Sequence, residues 1–176
     1  MKHLFYLLLL SCLLVACKTE SPKTIYFVRH AEKDTFSPKD PALSLEGVMR
    51  SVDLATFFKG VSVDTIFSSD TKRTLETVDP LSERQKVGVG MYNPMNFEAF
   101  AKVLKELEAD TIVVVGHSNT LLPQIEALGI ARPQEKIGEF EYDKIFRVEL
   151  AAQTTEIIRY GSKSISEEAE KERENL

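Results

Sequence analysis

"DTIVVVG", residues 110–116, decides the architecture. Ile112, Val113, Val114 and Val115 follow one another without a polar break, whereas a strand with one wet face would alternate. An unbroken β-branched run marks a strand buried on both faces, as in parallel sheets covered by helices on both sides. The flanking segments agree. Upstream, "NFEAFAKVLKEL" (96–107) sets Phe97, Phe100, Ala101 and Leu104 on one helical face. Downstream, "SNTLLPQIEALG" (118–129) reads as a helix that tolerates Pro123 near its first turn.

Further out, the same alternation repeats. "TIYFV" (24–28) and "VDTIFSS" (63–69) are strands, and "KVGV" (86–89) is a short one. "LSLEGVMRSVDLATFFKG" (43–60) is helical, with Leu45, Val48, Met49, Val52 and Ala55 at the spacing of one apolar face. Ser44 can cap its start and Gly60 can end it. "TKRTLETVDPLSER" (71–84) is a helix interrupted near Pro80, and "IFRVEL" (145–150) with "TEIIRY" (155–160) forms a closing hairpin. The order predicts an α/β fold, a three-layer α/β/α sandwich with a mostly parallel central sheet. Such sheets bind ligands beyond the carboxyl ends of their strands.

The 176 residues suit one domain, and 43% apolar composition suffices for a core. A net charge of −5 argues against nucleic acid as a partner, because that binding relies on dense Lys and Arg against phosphates. The amino terminus reads as a targeting segment. Lys2 precedes the apolar run Leu4–Ala16, which is too short for a comfortable membrane span of ~20 residues. The run ends in "LVAC", which resembles a bacterial lipobox. That resemblance implies a signal peptide over 1–16, lipidation of Cys17 and a tether over 17–23. "LLSC", ending at Cys12, is a weaker competing site. The implied location is outside the cytoplasm, lipid-anchored to a bacterial membrane and facing the periplasm or the cell surface. Lys18 after the cysteine, where an aspartate would speak against it, suits an outer-membrane or surface site. The folded domain then spans 24–160, and 161–176 is a charge-mixed tail with too few apolar residues to pack. Both cysteines lie at or before position 17, so the domain has no thiol for catalysis or metal binding. Its two histidines fall short of the three or four ligands a metal needs.

Three polar clusters lie just past strand ends: Arg29-His30, Arg73 within "SSDTKRTLET", and His117 in "VVVGHSNT". They recur at near-equal intervals, each the length of one strand-helix return to the same sheet edge. Two arginines and two histidines in one pocket suit a phosphoryl group, whose oxygens need several cationic donors. Amides of residues 116–119 at a helix start, with Ser118 among them, add candidate phosphate-binding donors. A neutral histidine among such cations resists protonation and can attack phosphorus.

"VRHAEK", "SSDTKRTLET", "VVGHSN" and "LSLEG" together resemble the signature of the histidine phosphatase superfamily, the phosphoglycerate-mutase-like fold, over roughly 24–160. The resemblance implies that His30 becomes a phosphohistidine. It also implies that Arg29, Arg73 and His117 clamp the phosphoryl oxygens, and that neither metal nor cofactor takes part. Ala31 stands where glycine is commoner in the family. The implied activity is hydrolysis of phosphomonoesters, on a phosphorylated small molecule or another phosphoester. A proton donor is not evident. Glu98 is the first candidate and Glu32, beside His30, the second; Glu76, Asp79, Glu83, Glu106 and Glu108 share the segment in which many members carry the acid. Small members that act on protein phosphohistidine lack a strong acid, which keeps that substrate class open. A non-catalytic phosphate-binding module of the same fold is the other alternative. The chain has little room for a capping insertion, so an open pocket is expected, one that admits sugar phosphates or lipid-linked phosphates.

Overall fold

The computed structural model describes residues 22–36 and 39–165. The expected signal peptide, Cys17, most of the tether and the tail from 166 lie outside them. The strands are β1 (Thr24–Arg29), β2 (Thr65–Ser69), β3 (Val89–Tyr92), β4 (Thr111–Gly116), β5 (Lys144–Glu149) and β6 (Thr154–Arg159). The helices are α1 (Leu45–Phe57), α2 (Lys72–Gln85), α3 (Phe97–Glu106) and α4 (Leu121–Ala127).

The strands form one sheet in the order β3-β2-β4-β1-β5-β6. β1 through β4 run parallel, and β5 pairs antiparallel with both β1 and β6. The expected sandwich is therefore present. β4 lies between β2 and β1, and Ile112 to Val115 are fully buried. Alternate side chains of β4 enter opposite cores. Ile112 and Val114 pack with Leu104, Leu121 and Ile125 from α3 and α4. Val113 and Val115 pack with Leu54, Phe58, Val78 and Leu81 from the α1 and α2 side. Each fully buried side chain of this size contributes ~1.5–3 kcal/mol.

α1 departs from the sequence expectation. Leu45, Val48, Met49 and Val52 are 74, 49, 56 and 47% exposed, and of the expected stripe only Ala55 reaches the core. The inward face carries Gly47, Arg50, Ser51, Leu54 and Ala55 instead. Two contacts set this rotation. A Cβ on Gly47 would stand 2.1 Å from the Glu32 carbonyl oxygen, so the helix abuts the backbone that follows His30. Arg50 turns inward and holds both carboxylate oxygens of Glu32 at 2.7–2.8 Å. The Ser44 cap forms as expected, accepting the Gly47 amide at 3.2 Å.

Two smaller expectations also fail. α2 continues through Pro80, because buried Thr77, Val78 and Leu81 pack on either side of a proline that removes one ladder bond. The third strand begins at Val89, not Lys86; Lys86 is the left-handed cap of α2, with φ 60°. The first tail residues are tied to the domain: Arg50 donates to the Ser162 carbonyl at 3.0 Å, and Ser164 Oγ accepts the amides of Tyr142 and Asp143.

Candidate active site

β1 and β4 are adjacent and in register, Arg29 opposite Gly116, so the residues that follow them, His30 and His117, emerge side by side. Their ring centroids are 5.4 Å apart. Gly116 is required there, since a Cβ would fall 2.6 Å from the Tyr92 hydroxyl oxygen. α2 begins directly after β2, the other neighbour of β4, and brings Arg73 to the same edge. The topology thus gathers Arg29, His30, Arg73 and His117, as expected from the sequence.

His30 is 5% exposed. Its Nδ1 lies 2.7 Å from the Ala31 carbonyl oxygen, which can only accept, so Nδ1 carries the proton and donates. The Nε2 lone pair is then free for attack. Burial lowers the pKa to about 3; the Ala31 hydrogen bond opposes this, and Arg29, Arg73 and His117 add to it. The ring is neutral at ordinary pH, the form a nucleophile needs.

His117 Nε2 meets Ser69 Oγ at 2.9 Å, and Arg73 Nη2 donates to Nδ1 at 3.4 Å. An arginine only donates, so the proton sits on Nε2 and is given to Ser69, which in turn donates to Thr74 Oγ1 at 3.1 Å. Burial lowers the His117 pKa to about 4, helped by Arg73 and Arg29. Arg29 is 3% exposed. Its Nη1 donates to the carbonyls of Gly138, Glu139 and Glu141 at 2.8, 2.6 and 3.2 Å. The guanidinium carbon lies 4.0 Å from the Tyr142 ring centroid. Arg29 Nε is buried with no partner, an orphan donor where an anion is expected. Two fixed guanidiniums, a neutral nucleophile and a second imidazole make a receptor for a tetrahedral oxyanion.

The candidate acids fare differently. Glu32 spends both oxygens on Arg50 and so serves as an anchor of the loop after His30. Glu98 is exposed in the first turn of α3, and among the described residues it shows no contact with the four site residues. Glu76 accepts the Leu43 amide at 2.7 Å and holds the segment between β1 and α1. Ser118 is partly exposed in the turn between His117 and α4; the helix starts later than expected, at Leu121, and Thr120 Oγ1 accepts the His117 amide at 3.2 Å. No helical insertion stands over the site among the described residues, yet the segment 138–142 closes on Arg29, and Tyr142 lies 6.0 Å from His30 between ring centroids.

Sequence reasoning missed several supporting residues. Asp40 pairs with Arg73 Nη1 at 3.7 Å and accepts the Lys72 amide at 3.1 Å, orienting the arginine and capping α2. Tyr142 and the 138–141 segment brace Arg29 and carry no periodic signal. Ser69 and Thr77 stood inside the quoted motif without a role; Ser69 holds His117, and Thr77 binds the loop after His30. Among the described residues no three His, Cys, Asp or Glu side chains converge as a metal site needs.

Comparison with known proteins agrees with this geometry. Residues 25–92 match the model of the histidine phosphatase superfamily, branch 1. No curated protein matches the sequence. Among solved structures, SixA of Agrobacterium tumefaciens superposes with a TM-score of 0.60 at 19% identity, covering 81% of this chain and 99% of that one. The protein histidine phosphatase SixA complexed with tungstate gives 0.61 at 15%, over 79% and 96%. A mycobacterial glucosyl-3-phosphoglycerate phosphatase gives 0.59 at 14%, over 82% and 99%. At these identities the likeness is one of fold. The family model matches residues 25–92, which carry Arg29, His30 and Arg73, and the solved structures share the fold over most of the chain.

Proposed function

We propose that the protein is a metal-independent phosphatase, held on a bacterial membrane by a lipidated Cys17, that hydrolyses phosphomonoesters through a phosphohistidine on His30. The observation that carries this reading is the neutral His30 with Nδ1–H fixed on Ala31 and Nε2 free between Arg29, Arg73 and His117. Binding phosphate alone needs no such nucleophile. That the solved SixA of the same fold is complexed with tungstate, a tetrahedral oxyanion, supports an anion between the same elements here.

In the first step the Nε2 lone pair forms a bond to phosphorus as the ester P–O bond breaks, and the leaving oxygen takes up a proton from solvent. Arg29 and Arg73 receive the equatorial oxygens, and His117, its Nε2–H on Ser69, holds Arg73 through Nδ1. The imidazolium so formed keeps its Nδ1–H on the Ala31 carbonyl. In the second step water attacks phosphorus and releases a proton to solvent, the N–P bond breaks, inorganic phosphate leaves and His30 returns neutral. The anchor reading rests on the sequence "LVAC" before Lys18.

A second reading is favoured by one observation: Glu32 is occupied by Arg50 and Glu98 stands apart, so neither candidate acid is placed to protonate a leaving group. A site poor in acid suits leaving groups that need little help, among them the imidazole of a protein phosphohistidine. The test is hydrolysis of an aryl phosphate with excess chelator. Activity that persists in the wild type and disappears in His30→Ala supports the proposal; activity abolished by the chelator, or retained in His30→Ala, contradicts it.

A further inference from the structure

The exposed side of α1 calls for a partner. Leu45, Val48, Met49 and Val52 form a continuous apolar stripe, the side that amphipathic helices normally bury. Phe36, 92% exposed, lies on the segment that leads from His30 to α1. Among the described residues none buries these five side chains, and α1 is already held by Gly47, Arg50 and Leu54 on its other side.

We propose that this stripe docks on the bilayer that carries the amino-terminal anchor; the inference rests on the anchor reading above. Tether length is the first argument. Lys23 is fixed, its Nζ bonded to the Leu104, Lys105 and Leu107 carbonyls at the end of α3. Six residues from Cys17 to Lys23 reach at most ~20 Å. The domain therefore cannot stand off from the membrane, and one of its sides must face it. Position is the second. Tyr26, two residues into β1, meets Phe58 at the C-terminal end of α1 with ring centroids 5.0 Å apart, so the helix that carries the stripe ends beside the strand at the tether's root. The plane touching the outside of α1 lies about one helix diameter, ~10–12 Å, beyond the sheet layer, within the tether's reach. Size is the third. Five side chains are few against the ~20–30 residues a side of a stable protein interface, whereas interfacial helices bind lipid through a stripe of this kind. Docked this way, the stripe sets Phe36 and the site edge beside the headgroups, so the substrate class it favours is a lipid-borne phosphomonoester.

The chain contains no tryptophan, so one introduced residue reports on one place. Met49→Trp and, separately, Leu45→Trp are made in the full lipidated chain. Val103→Trp on α3, exposed and near the same tether root but on the opposite helix layer, is the control. Each is reconstituted in vesicles of phosphatidylethanolamine and phosphatidylglycerol with brominated acyl chains. The proposal expects most of the emission from positions 49 and 45 to be quenched and that from 103 to persist. Equal quenching at all three, or none at 49 and 45, overturns it. So does blue-shifted emission at 49 and 45 without vesicles, which means that a second copy or the chain itself covers the stripe. A full-length chain that fails to float with vesicles overturns the anchor reading and the docking with it, and leaves the His30 chemistry untouched.

Discussion

Thr77 Oγ1 accepts the Ala31 backbone amide at 2.9 Å. The same hydroxyl donates to the Arg73 carbonyl at 2.6 Å, so the helix that carries one clamping arginine also holds the residue whose carbonyl fixes His30. Thr77→Val keeps the shape and removes both bonds. A buried amide without a partner costs ~1–3 kcal/mol, and slight misplacement of a nucleophile costs up to ~10²-fold in rate. Thr77→Val is expected to lower both the urea midpoint and kcat, and Thr77→Ser to restore both. A Thr77→Val enzyme with full kcat would show that His30 is held without it.

Gly47 is the second place where the loop after His30 depends on a distant residue. Gly47→Ala puts a methyl group 2.1 Å from the Glu32 carbonyl oxygen, which backbone cannot yield cheaply. Overpacking of this kind costs ~1–3 kcal/mol. The expected result is a lower melting temperature together with weakened aryl phosphate hydrolysis. Unchanged values would place α1 farther from Glu32 than the contact shows.

The placement of acids predicts a leaving-group dependence. With Glu32 engaged by Arg50 and Glu98 apart from the site, rates are expected to fall steeply from aryl to alkyl phosphates. Glu98→Gln is expected to leave that ratio unchanged. General acids contribute ~10²–10⁴-fold, so a selective loss of that size on alkyl phosphates in Glu98→Gln would identify it as the donor. Asp40→Asn loosens Arg73 and is expected to slow both substrate classes alike.

The histidines set a stability profile. Both have folded pKa values below the ordinary 6.5, about 3 for His30 and about 4 for His117, because burial disfavours the cation. Below pH 6.5 the unfolded chain binds protons that the folded site refuses, so stability falls as pH falls from about 6.5 toward 3. Above 6.5 both are neutral in either state and add no slope. Urea midpoints from pH 7.5 to 4.5 are expected to fall less steeply in His30→Asn than in the wild type. Inorganic phosphate, opposing Arg29 and Arg73, is expected to raise both values, measured by the pH dependence of the ring-proton NMR signals.

The sheet was legible because Ile112–Val115 could be nothing but a doubly buried strand, and the pocket because a parallel sheet delivers every strand end to one edge. Boundaries failed where backbone conformation overrode composition. Lys86 looked like a strand residue and is a left-handed cap. Pro80 looked like a break and is carried by the packing of Thr77, Val78 and Leu81. The face of α1 was misread because periodicity counts apolar residues, while Gly47 and Arg50 were turned inward by the backbone and carboxylate of Glu32. Tyr142 and the carbonyls that brace Arg29 had no signal at all, since main-chain acceptors are the same in every sequence.

The central claim is a covalent intermediate on His30, and acid-free quenching of a single turnover tests it most directly. The full chain is mixed with an aryl phosphate, stopped in alkaline denaturant and read by peptide mass. The account predicts one phosphoryl group on the peptide that contains His30, lost on mild acid treatment and absent in His30→Ala. Steady turnover with no phosphoryl group on that peptide, or the group on His117 or on a serine, would contradict it.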